Sequence, residues 1–126
     1  MSSELHVARA WLEAMDRHDL KGMASLYASN AVGDEVADPP ARDRKGLEEG
    51  YRELFESFPD CRAEVLNLFA GAGQVAAEIR WTGTNLHPFR GQPATNKRSD
   101  LRIAYLFKIV SGKIERITEY YDSASV

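Results

Sequence analysis

Two carboxylates near the end of the chain, Glu119 and Asp122, stand among tyrosines and branched apolar residues in the segment Lys113-Ile114-Glu115-Arg116-Ile117-Thr118-Glu119-Tyr120-Tyr121-Asp122. A carboxyl group in apolar surroundings is held partly protonated, so it can take a proton from one atom and return it to another. The segment follows a turn at Ser111-Gly112 and reads as a strand. Strict alternation puts Glu115, Ile117, Glu119 and Tyr121 on one face and Asp122 on the other. Glu119 is therefore the acid/base candidate. Asp122 is read as a cap for the strand end or a tie to the first helix. The competing reading of Glu119 is a surface carboxylate paired with Arg116 or Arg102, worth about 0–1 kcal/mol.

Other residues offer chemistry more weakly. Asp38, in Ala37-Asp38-Pro39-Pro40, is a second candidate base at a turn, although Asp-Pro also simply ends strands. Trp11, Tyr51, Phe55 and Trp81 could stack on a flat ligand or could equally build a core. His87 stands between Leu86 and Pro88, where it can reach a ligand from a loop or remain in solvent. His6, His18 and His87 are scattered and lack metal-site spacing. Cys61 is the single cysteine, which excludes an intrachain disulfide and fits a reducing cytoplasm. It reads as a small, half-buried residue at a strand start, not a nucleophile. The glycines at 71, 73, 83 and 91 serve turns and have no phosphate-cradling spacing.

The elements that position these residues follow from periodicity. Residues 3 to 18 predict a helix through Leu5, Ala8, Trp11, Leu12 and Met15. Asp19 caps a second, short helix carrying Leu20, Met23, Leu26 and Tyr27. Asn30 to Ala37 predicts a short strand, ended by Asp38-Pro39-Pro40. Asp43 opens a third helix to about Ser57, with Leu47, Tyr51, Leu54, Phe55 and Phe58 as its apolar stripe. Strands follow over 62–70, 74–83, 99–110 and the closing segment, with a long loop over 84–98. Helices first and strands after predict an α+β fold, a curved, mainly antiparallel sheet packed against three helices around a pocket.

The totals bound what the chain does. Its 126 residues suit one domain spanning 1–126. A net charge of -3 gives no field for a phosphate backbone, so no nucleic-acid partner is expected. No apolar run approaches the ~20 residues of a membrane span, and the N-terminus does not read as a secretory signal. The expected location is cytoplasmic.

The sequence also resembles a known family. The carriers are Asp19-Leu20 between two helices, Ala37-Asp38-Pro39, Phe58-Pro59-Asp60, Gly83-Thr84, the loop Phe89-Arg90-Gly91-Gln92-Pro93-Ala94-Thr95, and Gly112-Lys113-Ile114 running to Tyr121-Asp122. In these it is similar to the SnoaL-like polyketide cyclases, within the cone-shaped α+β superfamily of nuclear transport factor 2 and ketosteroid isomerase. The resemblance implies an acidic residue on the last strand as general acid/base, here Glu119. It puts Tyr105 where a cyclase has a histidine, which keeps a donor and loses a base that titrates near neutrality. Asp38-Pro39 resembles the base of ketosteroid isomerases, but Trp11 and Ala104 stand where their oxyanion hole would be. Asp100 and Arg102 have the spacing of an epoxide-hydrolase pair, yet alternation turns them away from Ile103 and Tyr105.

The expectation is a cofactor-independent enzyme of cyclase type acting on a hydrophobic, oxygenated small molecule. Glu119 is the acid/base, Tyr105 and Asp38 assist, and Trp11, Tyr51, Phe55, Trp81 and His87 contact the ligand. The alternatives are a non-catalytic ligand-binding or dimerisation module of the same fold, or an epoxide hydrolase. A homodimer is expected through the outer sheet face, where Arg80, Thr82, Arg102 and Lys108 alternate with Ala76, Ala104 and Leu106.

Overall fold

The computed structural model describes residues 3–125. Three helices, α1 (Ser3–Asp16), α2 (Leu20–Ala24) and α3 (Arg44–Ser57), pack on a sheet of six strands. These are β1 (Tyr27–Glu35), β2 (Arg42–Asp43), β3 (Arg62–Gly71), β4 (Gln74–Thr84), β5 (Arg98–Val110) and β6 (Lys113–Tyr120). The sheet order is β2-β1-β6-β5-β4-β3. Among the described residues only the β1–β6 pair is parallel; the others are antiparallel. The architecture is the expected α+β arrangement.

Local chemistry sets the element ends. α1 buries Val7, Ala8, Trp11, Leu12 and Met15, a stripe at helical spacing. It stops at Asp16, two residues before the predicted end. His18 there takes a positive φ of 58°, and the Asp19 N–H closes on the Ala14 carbonyl. The Asp19 carboxylate then accepts from Gly22 N, and Asp43 caps α3 the same way through Gly46 N. α2 is shorter than expected. Leu26 lies beyond it and Tyr27 begins β1, because the Leu26 carbonyl accepts from Ile114 N and draws the chain into the sheet. β1 accordingly runs earlier than the predicted 30–37 strand. The two-residue β2, paired to Val32 and Gly33, was not legible as a strand.

The inner sheet face and the helices share one core. β5 alternates strictly, turning Leu101, Ile103, Tyr105, Phe107 and Ile109 inward, and β4 contributes Val75, Ala77, Ile79 and Trp81. Trp11, fully buried, meets Tyr51, Tyr105 and Phe107 edge-on at 5.4–5.6 Å. β6 departs from strict alternation. A bulge between Lys108 and Ile109 lets both Ile114 and Ile117 point inward. Glu115 therefore leaves the inward face expected for it and sits 3.8 Å from Lys108 in an ion pair. β1 and α3 approach closely at Gly33, where a Cβ would fall 2.2 Å from Leu47 Cδ2. Replacing Trp11 by alanine should cost about 3–5 kcal/mol, read as a lowered urea midpoint. An unchanged midpoint would mean that this aromatic layer does not carry the core.

Candidate active site

The inner sheet face and α3 line a cavity of about 100 Å³ that is open to solvent on one side. At roughly 10–15 Å³ per water it has room for a small ligand. α3 leaves this room by presenting Gly46 and Gly50 beside Leu47, Tyr51 and Leu54. One part of the wall is apolar and aromatic: Phe58 meets Trp81 and Phe89 edge-on at 5.2 and 5.3 Å, with Leu101 and Ile103 beside them. The other part is polar, formed by Glu35, Arg42, Arg90, Tyr105, Glu119 and Tyr121.

Glu35 and Glu119 are direct partners across the parallel β1–β6 pair, and Val36 N donates to the Glu119 carbonyl at 3.0 Å. Neighbouring strands lie about 4.8 Å apart, so two like carboxyls are forced together and their acidities separate. Glu119 is half-buried at the cavity wall. Burial pushes its carboxyl up to about 8, aided by the Glu35 charge and opposed by the Tyr105 hydrogen bond and by Arg90 and Arg42. Glu35 goes the other way. Burial pulls it up, but hydrogen bonds from Arg90 and Tyr121 and the charges of Arg90 and Arg42 outweigh that and hold it below the ordinary carboxylate value. Arg90 grips it bidentately at 2.8 and 2.8 Å, Arg42 donates at 3.3 Å and Tyr121 at 2.5 Å. At neutral pH the pair holds one carboxylate and mostly one carboxylic acid.

The Tyr105 hydroxyl stands 3.3 Å from Glu119 Oε2 and 3.8 Å from Met15 Sδ. Burial drives the phenols of Tyr105 and Tyr51 well above their usual value, so both remain neutral donors. Among the described residues no three His, Cys, Asp or Glu side chains converge as a metal site would need.

Of the residues singled out from sequence, Glu119, Tyr105, Tyr51 and Trp81 line this cavity. The others stand elsewhere. Trp11 lies behind the wall, donating Nε1–H to the Tyr27 hydroxyl at 3.2 Å, because the rings of Tyr51 and Tyr105 come between it and the cavity. Phe55 stacks on the His18 ring at 4.4 Å, since its place on α3 turns it toward the α1–α2 junction. His87 is exposed and outside the lining; the buried Asn85 holds its carbonyl and bends the loop there. Asp38 is not a free base: Arg90 at 2.6 Å and Arg42 at 3.2 Å occupy its Oδ2, and it too lies outside the lining. Asp122 accepts from Ala124 N and Ser125 Oγ and fixes the chain after β6. Asp100 and Arg102 sit on the outer face, paired to Arg80 and Glu78, which removes the epoxide-hydrolase pairing. Arg116, the surface partner considered for Glu119, binds Asp34 instead. Cys61 is buried rather than half-buried, with its carbonyl 2.8 Å from His18 Nε2, and burial pushes its thiol to about 12. Glu35, Arg42, Arg90 and Tyr121 were not assigned site roles. By alternation Glu35 shares a strand face with Ala31 and Gly33, and that was the available signal for it.

The model of a family described as SnoaL-like polyketide cyclase matches residues 5–126. No curated protein sequence matches the chain. Among the solved structures that share the fold, three illustrate the likeness. The candidate hydroxylase AclR of Streptomyces galilaeus superposes with a TM-score of 0.83 at 20% identity, covering 95% of this chain and 89% of its own. The candidate polyketide cyclase IdmH of Streptomyces antibioticus gives 0.79 at 23%, covering 95% and 92%. A candidate SnoaL-like polyketide cyclase of Jannaschia sp. CCS1 gives 0.85 at 17%, covering 95% and 85%.

The two carboxyls load stability in opposite directions with pH. Glu119 binds its proton more tightly folded than unfolded, so its contribution is full below the unfolded value near 4.5 and is lost as pH rises toward about 8. Glu35, held low, contributes above its unfolded value and loses that contribution only in acid. Glu119→Gln should therefore flatten the decline between pH 5 and 8, by up to about 1.4 kcal/mol per pH unit. Urea titrations giving parallel pH curves for both proteins would contradict this placement of the proton.

Proposed function

The chain belongs to the SnoaL-like polyketide cyclase family, and from that membership we propose that it is a cofactor-independent acid/base enzyme. Its substrate is a hydrophobic, oxygenated small molecule, and Glu119 moves a proton from carbon to oxygen in an aldol-type ring closure or an isomerisation. The observation that carries this reading is one carboxyl, held mostly protonated near neutrality, in a partly aromatic cavity with a neutral hydroxyl beside it.

The chemistry follows from that geometry. An ionised carboxylate with a conjugate acid near 8 is a far stronger base than an ordinary glutamate, at the cost of about a tenfold smaller ionised fraction at pH 7. Trp81, Phe58, Phe89 and Leu101 hold the carbon skeleton. The acidic C–H then faces Glu119, which takes the proton and, once neutral, returns it to the oxygen that gains charge. The Tyr105 hydroxyl steadies the carboxylate before the first step and after the second by donating to Oε2. Asp38 takes no part in the transfer; its carboxylate shares Arg42 and Arg90 with Glu35.

A simple ketone tests the proton transfer without the natural substrate. The wild-type protein should accelerate exchange of the α-protons of 2-tetralone in D₂O, followed by NMR, with a rate that climbs with pH and levels off above about 8. Glu119→Gln should reduce that acceleration by about 10²–10⁴-fold. Full exchange in the variant would refute the role of Glu119; saturable binding of the ketone with no exchange in wild type would leave a ligand-binding module. The outer face provides a separate expectation. Its charges are paired among themselves, Arg80 with Asp100 and Arg102 with Glu78, around the uncharged Ala76, Ala104 and Leu106. This face should hold a homodimer, and sedimentation as a monomer at micromolar concentration would count against it.

A further inference from the structure

The carboxyl assigned to catalysis has an acidic neighbour with no part in moving the substrate proton. Glu35 is 9% exposed. Its Oε1 accepts from Arg42 and Arg90, and its Oε2 from Arg90 and Tyr121. A carboxylate occupied in this way is a poor acceptor for a substrate proton, but its charge still acts on the next strand. We propose that Glu35 and Arg90 are positioning residues: with the loop between β4 and β5 docked, Arg90 holds Glu35 as a carboxylate, and that charge keeps the proton on the adjacent Glu119. This rests on the acid/base reading of Glu119 and deepens it.

The geometry of Arg90 supports the coupling. Its guanidinium reaches Glu35 and Asp38 on the β1 side, while its backbone N–H donates to Glu53 of α3 at 3.2 Å. It also lies 4.8 Å over the ring of Phe89, which lines the cavity. One loop residue therefore bridges two elements of the cavity wall. The loop base is fixed separately: buried Ser57 donates to the Pro88 carbonyl at 2.7 Å, and buried Asn85 binds His87 and Thr95. With Arg90 withdrawn, Glu35 would keep only Arg42, at 3.3 Å, and the neutral Tyr121. A buried carboxylate that loses a bidentate cation takes up a proton more readily. The two glutamates would then share one proton, and its place on Glu119 would no longer be fixed. Docking the loop over the cavity thus sharpens the group beneath it.

The charged and titratable groups facing the pair come from every side. They are Asp38 after β1, Arg42 of β2, Tyr51 of α3, Arg90 of the loop, Tyr105 of β5 and Tyr121 after β6. Of these, Tyr105, Arg90 and Arg42 lower the proton affinity of Glu119, whereas its strand partner Glu35 raises it. The effect of Glu35 is therefore separable by substitution.

The test is a carboxyl ¹³C NMR titration of glutamate-labelled protein. Glu35→Gln should lower the Glu119 midpoint by about 1–3 pH units, since the like charge goes and both arginines remain. Arg90→Leu should raise the Glu35 midpoint toward the range in which Glu119 titrates. Asp38→Asn touches the same arginines but is not a strand partner of Glu119, and should leave the Glu119 midpoint in place. An unmoved Glu119 in Glu35→Gln, or an equal fall in Asp38→Asn, would overturn the proposal. Should Glu35→Gln not fold, an unmoved Glu35 in Arg90→Leu overturns it instead. These midpoints are read without turnover. Undiminished ketone exchange in Glu119→Gln would therefore defeat the catalytic reading while leaving the coupling to be judged by its own titration.

Discussion

The parallel pairing of β1 with β6 places Glu35 and Glu119 side by side, and much of the polar structure follows from that constraint. Two carboxylates at strand spacing in a poorly solvated cavity cannot both ionise cheaply. One must take a proton or acquire cations. The chain supplies cations on one side only: Arg90 and Arg42 converge on Glu35, while a neutral phenol faces Glu119. The asymmetry of partners, not of the carboxyls themselves, decides which of two identical side chains is the acid.

Those partners demand local structures that would otherwise have little reason to exist. Arg42 is delivered by a two-residue strand held to Val32 and Gly33, immediately before the Asp43 cap of α3. Arg90 is delivered by a loop with few pairings of its own, so its shape depends on buried polar anchors. Ser57, 1% exposed, and Asn85, 7% exposed, spend their hydrogen bonds on that loop's backbone. Among the described residues no buried side-chain polar atom lacks a partner, as expected where an unsatisfied group would cost about 1–3 kcal/mol.

The elements built on local periodicity were legible in the sequence. α1, α3, β4 and β5 each carry one apolar stripe, and their inward residues and, to within two residues, their bounds follow from it. Glu119 was placed on the same face as Ile117 and Tyr121 by the same rule. What escaped was non-local. The bulge in β6 depends on its pairing with β5, so Glu115 was assigned to the wrong face. Glu35 acquires its meaning only from a strand more than eighty residues away in sequence, and Arg90 only from how a loop folds back. The aromatic residues carried an ambiguity that type alone cannot resolve. Trp11 and Phe55 became core, Tyr51 and Trp81 became cavity wall, and the difference is which side of a shared layer each ring occupies.

The tyrosine at position 105 narrows the chemistry further. A histidine beside the carboxyl would titrate near neutrality and could exchange the proton with it, so two groups would divide the labour. The Tyr105 phenol is pushed upward by burial and then by the Glu119 charge, which puts its anion out of reach at physiological pH. It can donate a hydrogen bond and do nothing else with the proton. Of the two carboxyls, Glu35 is held ionised by its cations. Glu119 is thus left as the group in the cavity whose two protonation states are both accessible near neutrality, and any proton carried from carbon to oxygen in this cavity has to pass through it.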